Sequence, residues 1–211
     1  MRATGRFISF EGVDGSGKST QAALLAQALE ERGERVVRTR EPGGTPLGEA
    51  LRGVLLATDA ASIGPLAEMH LFAAARAQLV SEVIGPALAG GAWVVADRFV
   101  DSSLAYQGVA RSLGVTEVLA ANMAAVDHHL PALTVVLTMG TEEAAGRRGG
   151  QPADRIENEG ELLQRRVAEG YRELLDRFPV RLRGVDASGT PTDVHARVWA
   201  AVRALPEGAG L

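Results

Sequence analysis

The 211-residue chain has no cysteine, one lysine, few aromatic residues and no unbroken apolar run long enough to suggest a membrane span. Each shortage removes a class of explanation. Without cysteine there are no disulfides and no thiolate metal sites. The four histidines, His70, His128, His129 and His195, are too scattered to form a zinc-spaced set. No apolar run approaches the ~20 residues that a bilayer demands. The opening Met1-Arg2-Ala3-Thr4-Gly5-Arg6 leads into a short strand-like run, not the apolar core of a signal peptide. A cytoplasmic address without a membrane partner is the expectation. The net charge of −4 argues against a general nucleic-acid surface, since a polyanion needs a basic face. A small phosphate ligand in a locally basic pocket stays compatible with it. Aromatics are 4% of the chain and hydrophobic residues 46%, so the core must be built mostly from Ala, Leu and Val.

The shortage of lysine says most. Of 22 strongly basic residues only Lys18 is a lysine, which leaves 21 arginines. It falls in Gly12-Val13-Asp14-Gly15-Ser16-Gly17-Lys18-Ser19-Thr20, a G-x-x-x-x-G-K-[ST] phosphate-binding loop. A compact ammonium on a flexible stem reaches between the terminal phosphates of a nucleotide, where a planar guanidinium fork fits poorly. Glycines followed by a helix offer backbone N–H groups and a positive dipole end to the same anion. The motif assigns Lys18 to the β- and γ-phosphates of ATP and the Ser19 hydroxyl to Mg²⁺, with Thr20 near the α-phosphate.

Short apolar runs alternate with helical patterns, which predicts an α/β fold of parallel strands and crossover helices in a single domain. The predicted strands are Phe7–Glu11, Arg35–Thr39, Ala92–Asp97, Leu133–Met139 and Arg181–Asp186. Predicted helices cover Ser19–Arg32, Pro46–Ala57, Pro65–Ala89, Val115–Val126, Glu159–Arg177 and Thr192–Ala204, the third breaking near Gly85-Pro86. Gly149-Gly150-Gln151-Pro152 reads as the most disordered segment, and the tail Pro206–Leu211 as frayed. The third strand ends in Asp97, the position of an acidic residue that holds magnesium, although an aspartate there also caps helices. Arg98 follows it. A fixed cation beside the metal site suits a second phosphate-bearing substrate better than a mobile switch loop. No N-K-x-D guanine-reading motif is present, which sets a switch GTPase aside.

Further blocks complete a family pattern. Phe10-Glu11 before the phosphate loop, Thr39-Arg40-Glu41-Pro42-Gly43-Gly44-Thr45, Leu71-Phe72-Ala73-Ala74-Ala75-Arg76-Ala77-Gln78, Asp97-Arg98-Phe99, Ala105-Tyr106-Gln107-Gly108 and Asp154-Arg155-Ile156-Glu157 occur in order over about residues 7–200. In this the chain resembles the bacterial thymidylate kinases. The resemblance implies the three-layer P-loop NTPase fold: a five-stranded parallel sheet flanked by helices, with a mobile lid over about residues 141–158. It implies ATP and dTMP as substrates, dTDP as product on the way to dTTP, and a homodimer.

The resemblance also distributes the acceptor site. Phe72 and Arg76, four apart on a predicted helix, share a face. The ring can stack on a pyrimidine and the guanidinium can donate to a base carbonyl, the alternative being core for Phe72 and surface for Arg76. Ser102 and Ser103 are placed near the pyrimidine edge, Tyr106 against the sugar, and Gln107 among the substrate-binding residues. Asp14 faces the acceptor sugar or magnesium. Arg40 and Arg98 hold the acceptor phosphate, with Arg52 a weaker candidate. The migrating phosphoryl group needs a cation. Ser16 stands where some relatives carry a loop arginine, so the charge is expected from the lid, with Arg147, Arg148 and Arg155 open as its source. A solvated basic loop is the alternative. Glu157 and Glu159 read as lid or helix-start charges. Two other functions stay open: a kinase for another nucleotide or nucleoside, and a nucleotide-dependent binding module.

Overall fold

The runs Phe7–Glu11 and Trp93–Asp97 are apolar at odd and even positions alike, as suits strands covered on both faces. A computed structural model describes residues 6–58, 62–148 and 153–205, with the side chain of Arg148 excepted. The strands β1 (Phe7–Glu11), β2 (Val36–Arg40), β3 (Trp93–Asp97), β4 (Leu133–Thr138) and β5 (Leu182–Asp186) form one parallel sheet in the order β2-β3-β1-β4-β5. Inner strands β1, β3 and β4 are buried almost throughout, while the edge strands β2 and β5 are partly open.

In chain order the α-helices are α1 (Lys18–Glu30), α2 (Pro46–Leu56), α3 (Pro65–Leu79), α4 (Gly85–Ala89), α5 (Val100–Ser103), α6 (Val115–Val126), α7 (Thr141–Arg148), α8 (Glu161–Arg177) and α9 (Pro191–Arg203). Alternating strand residues serve two cores. Ile8, Phe10, Val95 and Val135 pack with Leu25 of α1 and Val198 of α9 on one face. Phe7, Val94 and Ala96 meet Leu79 and Ile84 on the other. A third cluster joins Leu104, Val118, Val167 and Leu174 around α6 and α8.

Register aligns the ends that matter. Phe10 and Arg40 both pair with Asp97, so β1, β2 and β3 finish side by side. The order of strands turns about β1, and the crevice beyond the carboxyl ends of strands at such a switch point is where open α/β sheets bind ligands.

Three local expectations change. The helix beginning at Pro65 does not break at Gly85-Pro86: a π-helical turn, Val80–Ile84, joins α3 to α4. The wider turn lets the chain continue past a proline that has no N–H to give. By length and composition this 25-residue span would also pass for a membrane helix. Here its Glu68 and Arg76 are buried against protein partners, and the helix packs on α2 and α6 as part of the fold. Residues between β3 and α6, given no element by the sequence reading, are helical: α5 continues into a π-helical segment, Leu104–Ala110. Thr141–Arg148, expected as lid, is the helix α7. Gly149–Pro152 and Pro206–Leu211, expected as disordered and frayed, lie outside the described residues.

Candidate active site

The phosphate loop runs from the end of β1 into α1, and its shape depends on glycine. Gly12 has φ 137°, and a Cβ there would lie 2.6 Å from the carbonyl oxygen of Leu137. Gly17, at φ 92°, is the cap from which α1 starts. The first N–H groups of α1 therefore face a cavity of about 800 Å³ lined by the loop residues Asp14–Gln21, by Asp97, Arg98 and Arg147, and by the turn at Gly189 and Pro191. Lys18 is buried beside it, with Nζ donating to the Val13 carbonyl at 2.9 Å and lying 3.7 Å from Asp14. Burial, reinforced by the Arg98 charge, brings the Lys18 amine down to about 8 against the pull of Asp14, Asp97 and Glu11. The Ser19 hydroxyl donates to the Asp97 carboxylate, so the sequence-predicted metal pair is brought together at the floor of the cavity.

Arg98 is the node of the site. It adopts the left-handed conformation at φ 73°, which a branched network holds in place. Its guanidinium donates to Asp14, to the Gly12 carbonyl at 3.3 Å, to Ser102 Oγ at 3.1 Å, to the Tyr171 hydroxyl at 3.3 Å and to the Tyr106 hydroxyl at 3.4 Å. Burial pushes the Asp14 carboxyl upward, but the Arg98 and Lys18 charges outweigh it and hold the group well below the usual carboxylate range. Beneath the node lies Glu11. It accepts from the backbone N–H groups of Phe99 at 2.8 Å and Ser102 at 3.2 Å, from Ser102 Oγ at 2.6 Å and from the Tyr171 hydroxyl at 2.8 Å. Burial, aided by Asp101, raises the Glu11 carboxyl to about 7. The two N–H bonds fix the backbone on the C-terminal side of Arg98, and thereby the direction of its side chain.

A second cavity, of about 180 Å³, adjoins the first and holds Pro42, Leu56, Phe72, Ser102, Ser103, Tyr106, Gln107 and Ile156. Asp14, Glu41, Arg52, Arg98 and Glu157 line both. The two spaces thus meet at a wall of alternating charge.

Several residues sit elsewhere than the sequence suggested. Arg76 is not among the residues lining the smaller cavity; at 1% exposure it is tied to Glu41 at 2.6 and 3.0 Å, to Asn122, to the Phe99 carbonyl and to Ser103 Oγ at 3.1 Å. A buried guanidinium requires such partners. Arg40 lines only the larger of the two cavities and is paired with both oxygens of Glu49 at 3.0 Å, whereas Arg52 lines both. Of the lid arginines, Arg147 lines the larger cavity, donating to the Ala187 carbonyl at 3.0 Å and to Glu143 at 2.8 Å. Arg155 is not brought there: it binds the Leu55 carbonyl at 2.7 Å and Glu68 at 2.6 Å. The side chain of Arg148 is outside the described residues. Glu157, read as a lid charge, lines both cavities, while Glu159 pairs with Arg111 and Arg155. Glu68, Arg111 and Tyr171 were not singled out by the sequence, and Glu11 was noted only as part of a block.

A glycine loop shaped for a polyphosphate, opening onto a smaller cavity across a wall that includes Arg52 and Arg98, is the arrangement of a P-loop phosphotransferase. The comparisons with known proteins narrow the class. A family model described as thymidylate kinase matches residues 10–198. The chain is 45% identical over 205 residues to the thymidylate kinase of Caldanaerobacter subterraneus subsp. tengcongensis, covering 97% of this chain and 98% of that protein. It is 50% identical over 189 residues to that of Symbiobacterium thermophilum, covering 90% and 88%. A crystal structure of thymidylate kinase from Ehrlichia chaffeensis matches with a TM-score of 0.74 at 32% identity, over 94% of this chain and 98% of that one. The chain belongs to the thymidylate kinase family, and its reaction is the phosphorylation of dTMP to dTDP with ATP.

Proposed function

We propose that the larger cavity takes ATP, the smaller takes dTMP, and the phosphoryl group crosses at the wall they share. The observation that carries this division is the position of Arg98, which lines both spaces. Lys18 and the loop N–H groups from Gly12 to Thr20 cradle the donor phosphates. The Ser16 hydroxyl, buried without a partner among the described residues, is a group that a bound phosphate would satisfy. Ser19 and Asp97 offer a hydroxyl and a carboxylate, hard oxygen donors that fit Mg²⁺. Held there with ATP, the ion would supply positive charge to offset that of the donor phosphates.

On the acceptor side Phe72 is the platform for the thymine ring. Ser102, Ser103 and Gln107 face the base edge, and Arg76 stands behind Ser103, aligning it. Tyr106 lies against the deoxyribose, leaving little room for a 2′-hydroxyl, and Asp14, held ionised, accepts from the sugar. Arg98, with Arg52 and Arg40 beside the entrance, holds the 5′-phosphate in line with the γ-phosphate. A phosphate monoester is already anionic near neutral pH, so the acceptor needs no general base. Arg147 lines the donor cavity and is the lid arginine placed to meet the group in transfer; Arg148 is assigned to the same lid, about residues 141–158. Arg155 acts by fixing the segment behind it.

Phe72→Ala is expected to raise the KM for dTMP about tenfold, because base–aromatic stacking contributes roughly 1–3 kcal/mol, with the KM for ATP unchanged. Steady-state kinetics with each substrate varied in turn check it, and equal effects on both would make Phe72 core. The same reading includes a cytoplasmic setting and a homodimer. Leu47 and Val54 on α2, Leu66 on α3 and Met123 on α6 are exposed, and α3 packs against both α2 and α6. Light scattering should give twice the chain mass; a monomer at assay concentration would refute the dimer.

A further inference from the structure

Glu68 lies outside both cavities yet controls a group that lines one. It is 1% exposed and receives four donors. Arg111 reaches its two oxygens at 3.1 and 3.0 Å, Arg155 reaches one at 2.6 Å, and Gln107 Nε2 donates to it at 2.8 Å. Burial pushes the Glu68 carboxyl up, but the bonds from Arg111, Arg155 and Gln107 outweigh it and lower it below its ordinary value. An ionised carboxylate only accepts hydrogen bonds. The Gln107 amide can therefore present only its NH₂ end to Glu68. Its carbonyl oxygen is the end left for the cavity that Gln107 lines together with Ser103, one turn earlier in the helix.

That polarity has a chemical meaning. Thymine and uracil carry a hydrogen on N3, while cytosine presents a bare N3 lone pair flanked by an amino group. A fixed acceptor rewards the first edge and opposes the lone pair of the second. A site built around one hydrogen-bond polarity rejects the wrong partner far more strongly than a pocket that discriminates by size.

We propose that Glu68 is a positioning residue for base specificity: it locks the Gln107 amide with its oxygen toward the nucleobase, so that the site selects a base with an N3–H donor over one with an N3 acceptor. This rests on the assignment of the smaller cavity to the base. Arg111 and Arg155 keep the lock ionised, which gives two arginines that line neither cavity a part in specificity.

The test is kcat/KM for dTMP and dCMP in the full-length enzyme and in Glu68→Gln, whose neutral amide can accept as well as donate and so frees Gln107 to rotate. The dTMP-to-dCMP ratio is expected to fall about tenfold, through the KM of the monophosphate, with the KM for ATP unmoved. An unchanged ratio, with both substrates losing activity together, overturns the proposal. Should Glu68→Gln fail to fold, Arg111→Gln takes its place, since it removes two of the four donors that hold the Glu68 carboxylate. It should lower the dTMP-to-dCMP ratio roughly several-fold, and an unchanged ratio would overturn the idea. Phe72→Ala separates the two levels. If it leaves the KM for dTMP unchanged, the assignment of the cavity fails and the proposal falls with it. If it raises that KM while the ratio in Glu68→Gln holds, the role of Glu68 alone is refuted.

Discussion

Lys18→Ala is expected to lower kcat on the order of 10²–10³-fold, the loss typical of removing one preorganised donor from the charge that develops in a transition state. The argument starts from position. The amine is buried at the mouth of the loop, and its partner there is a backbone carbonyl, that of Val13 at 2.9 Å. ATP therefore meets an ammonium already in place and exchanges one oxygen partner for another. Burial and Arg98 bring the amine to about 8 in the open site. A bound polyphosphate reverses that pull and keeps it protonated through the reaction. The alanine variant keeps Gly12 and Gly17, on which the backbone of the loop depends, so its fold should survive. Coupled ADP-release kinetics beside thermal unfolding separate the two effects. Near-normal turnover by a folded Lys18→Ala protein would remove the amine from the phosphate site. Lys18→Arg should recover little, since the planar fork cannot enter between the phosphates as a point charge does.

The second large effect is expected at Arg98. Arg98→Ala should lower kcat/KM for dTMP on the order of 10²–10³-fold, far beyond its effect on ATP binding. Two losses combine. The acceptor phosphate forfeits its cation, and Asp14 forfeits one of the two charges that together outweigh its burial. With Arg98 gone, Lys18 is the charge left to oppose desolvation, and the Asp14 carboxyl moves upward from its depressed position. The direction in pH follows. In the native enzyme Asp14 stays ionised through the ordinary acid range, whereas in Arg98→Ala it takes up a proton as pH falls. Residual activity of the variant should therefore decline at a higher pH than that of the native enzyme. Superimposable acid limbs would show that Asp14 does not depend on Arg98. Arg98→Lys keeps the charge but loses the bonds to Ser102, Tyr106 and Tyr171, so it should fall between the two.

How legible the site was depended on distance along the chain. The phosphate loop is nine consecutive residues, Gly12–Thr20, and Asp97-Arg98 are adjacent, so their chemistry could be read directly. All five strands were read within one residue of their observed limits: β1, β3 and β4 stand out as apolar runs, while the edge strands Val36–Arg40 and Leu182–Asp186 carry arginines among their apolar residues. The helical stretch from Val100 to Ala110 was missed because buried polar residues interrupt its apolar pattern: Asp101, Ser103 and Gln107 point inward to partners elsewhere in the fold. The same reason hid Tyr171, whose bond to Glu11 spans 160 positions. Arg147 and Arg155 looked equivalent because both lie near a glycine-rich segment. They differ in that Glu68, far earlier in the sequence, binds one of them.

The junction of Asp97 with Arg98 has a consequence of its own. In the proposed division the first residue serves the metal of the donor and the second serves the phosphate of the acceptor. A single trans peptide, about 3.8 Å between α-carbons, therefore separates the two anchoring residues, and it is held in the sheet by pairing of Asp97 with Phe10 and Arg40. The spacing of these two backbone anchors is set by covalent geometry and does not depend on how flexible segments close. Insertion of one residue at this point should uncouple the two sites while each still binds its own nucleotide: a protein with two ligands and no reaction.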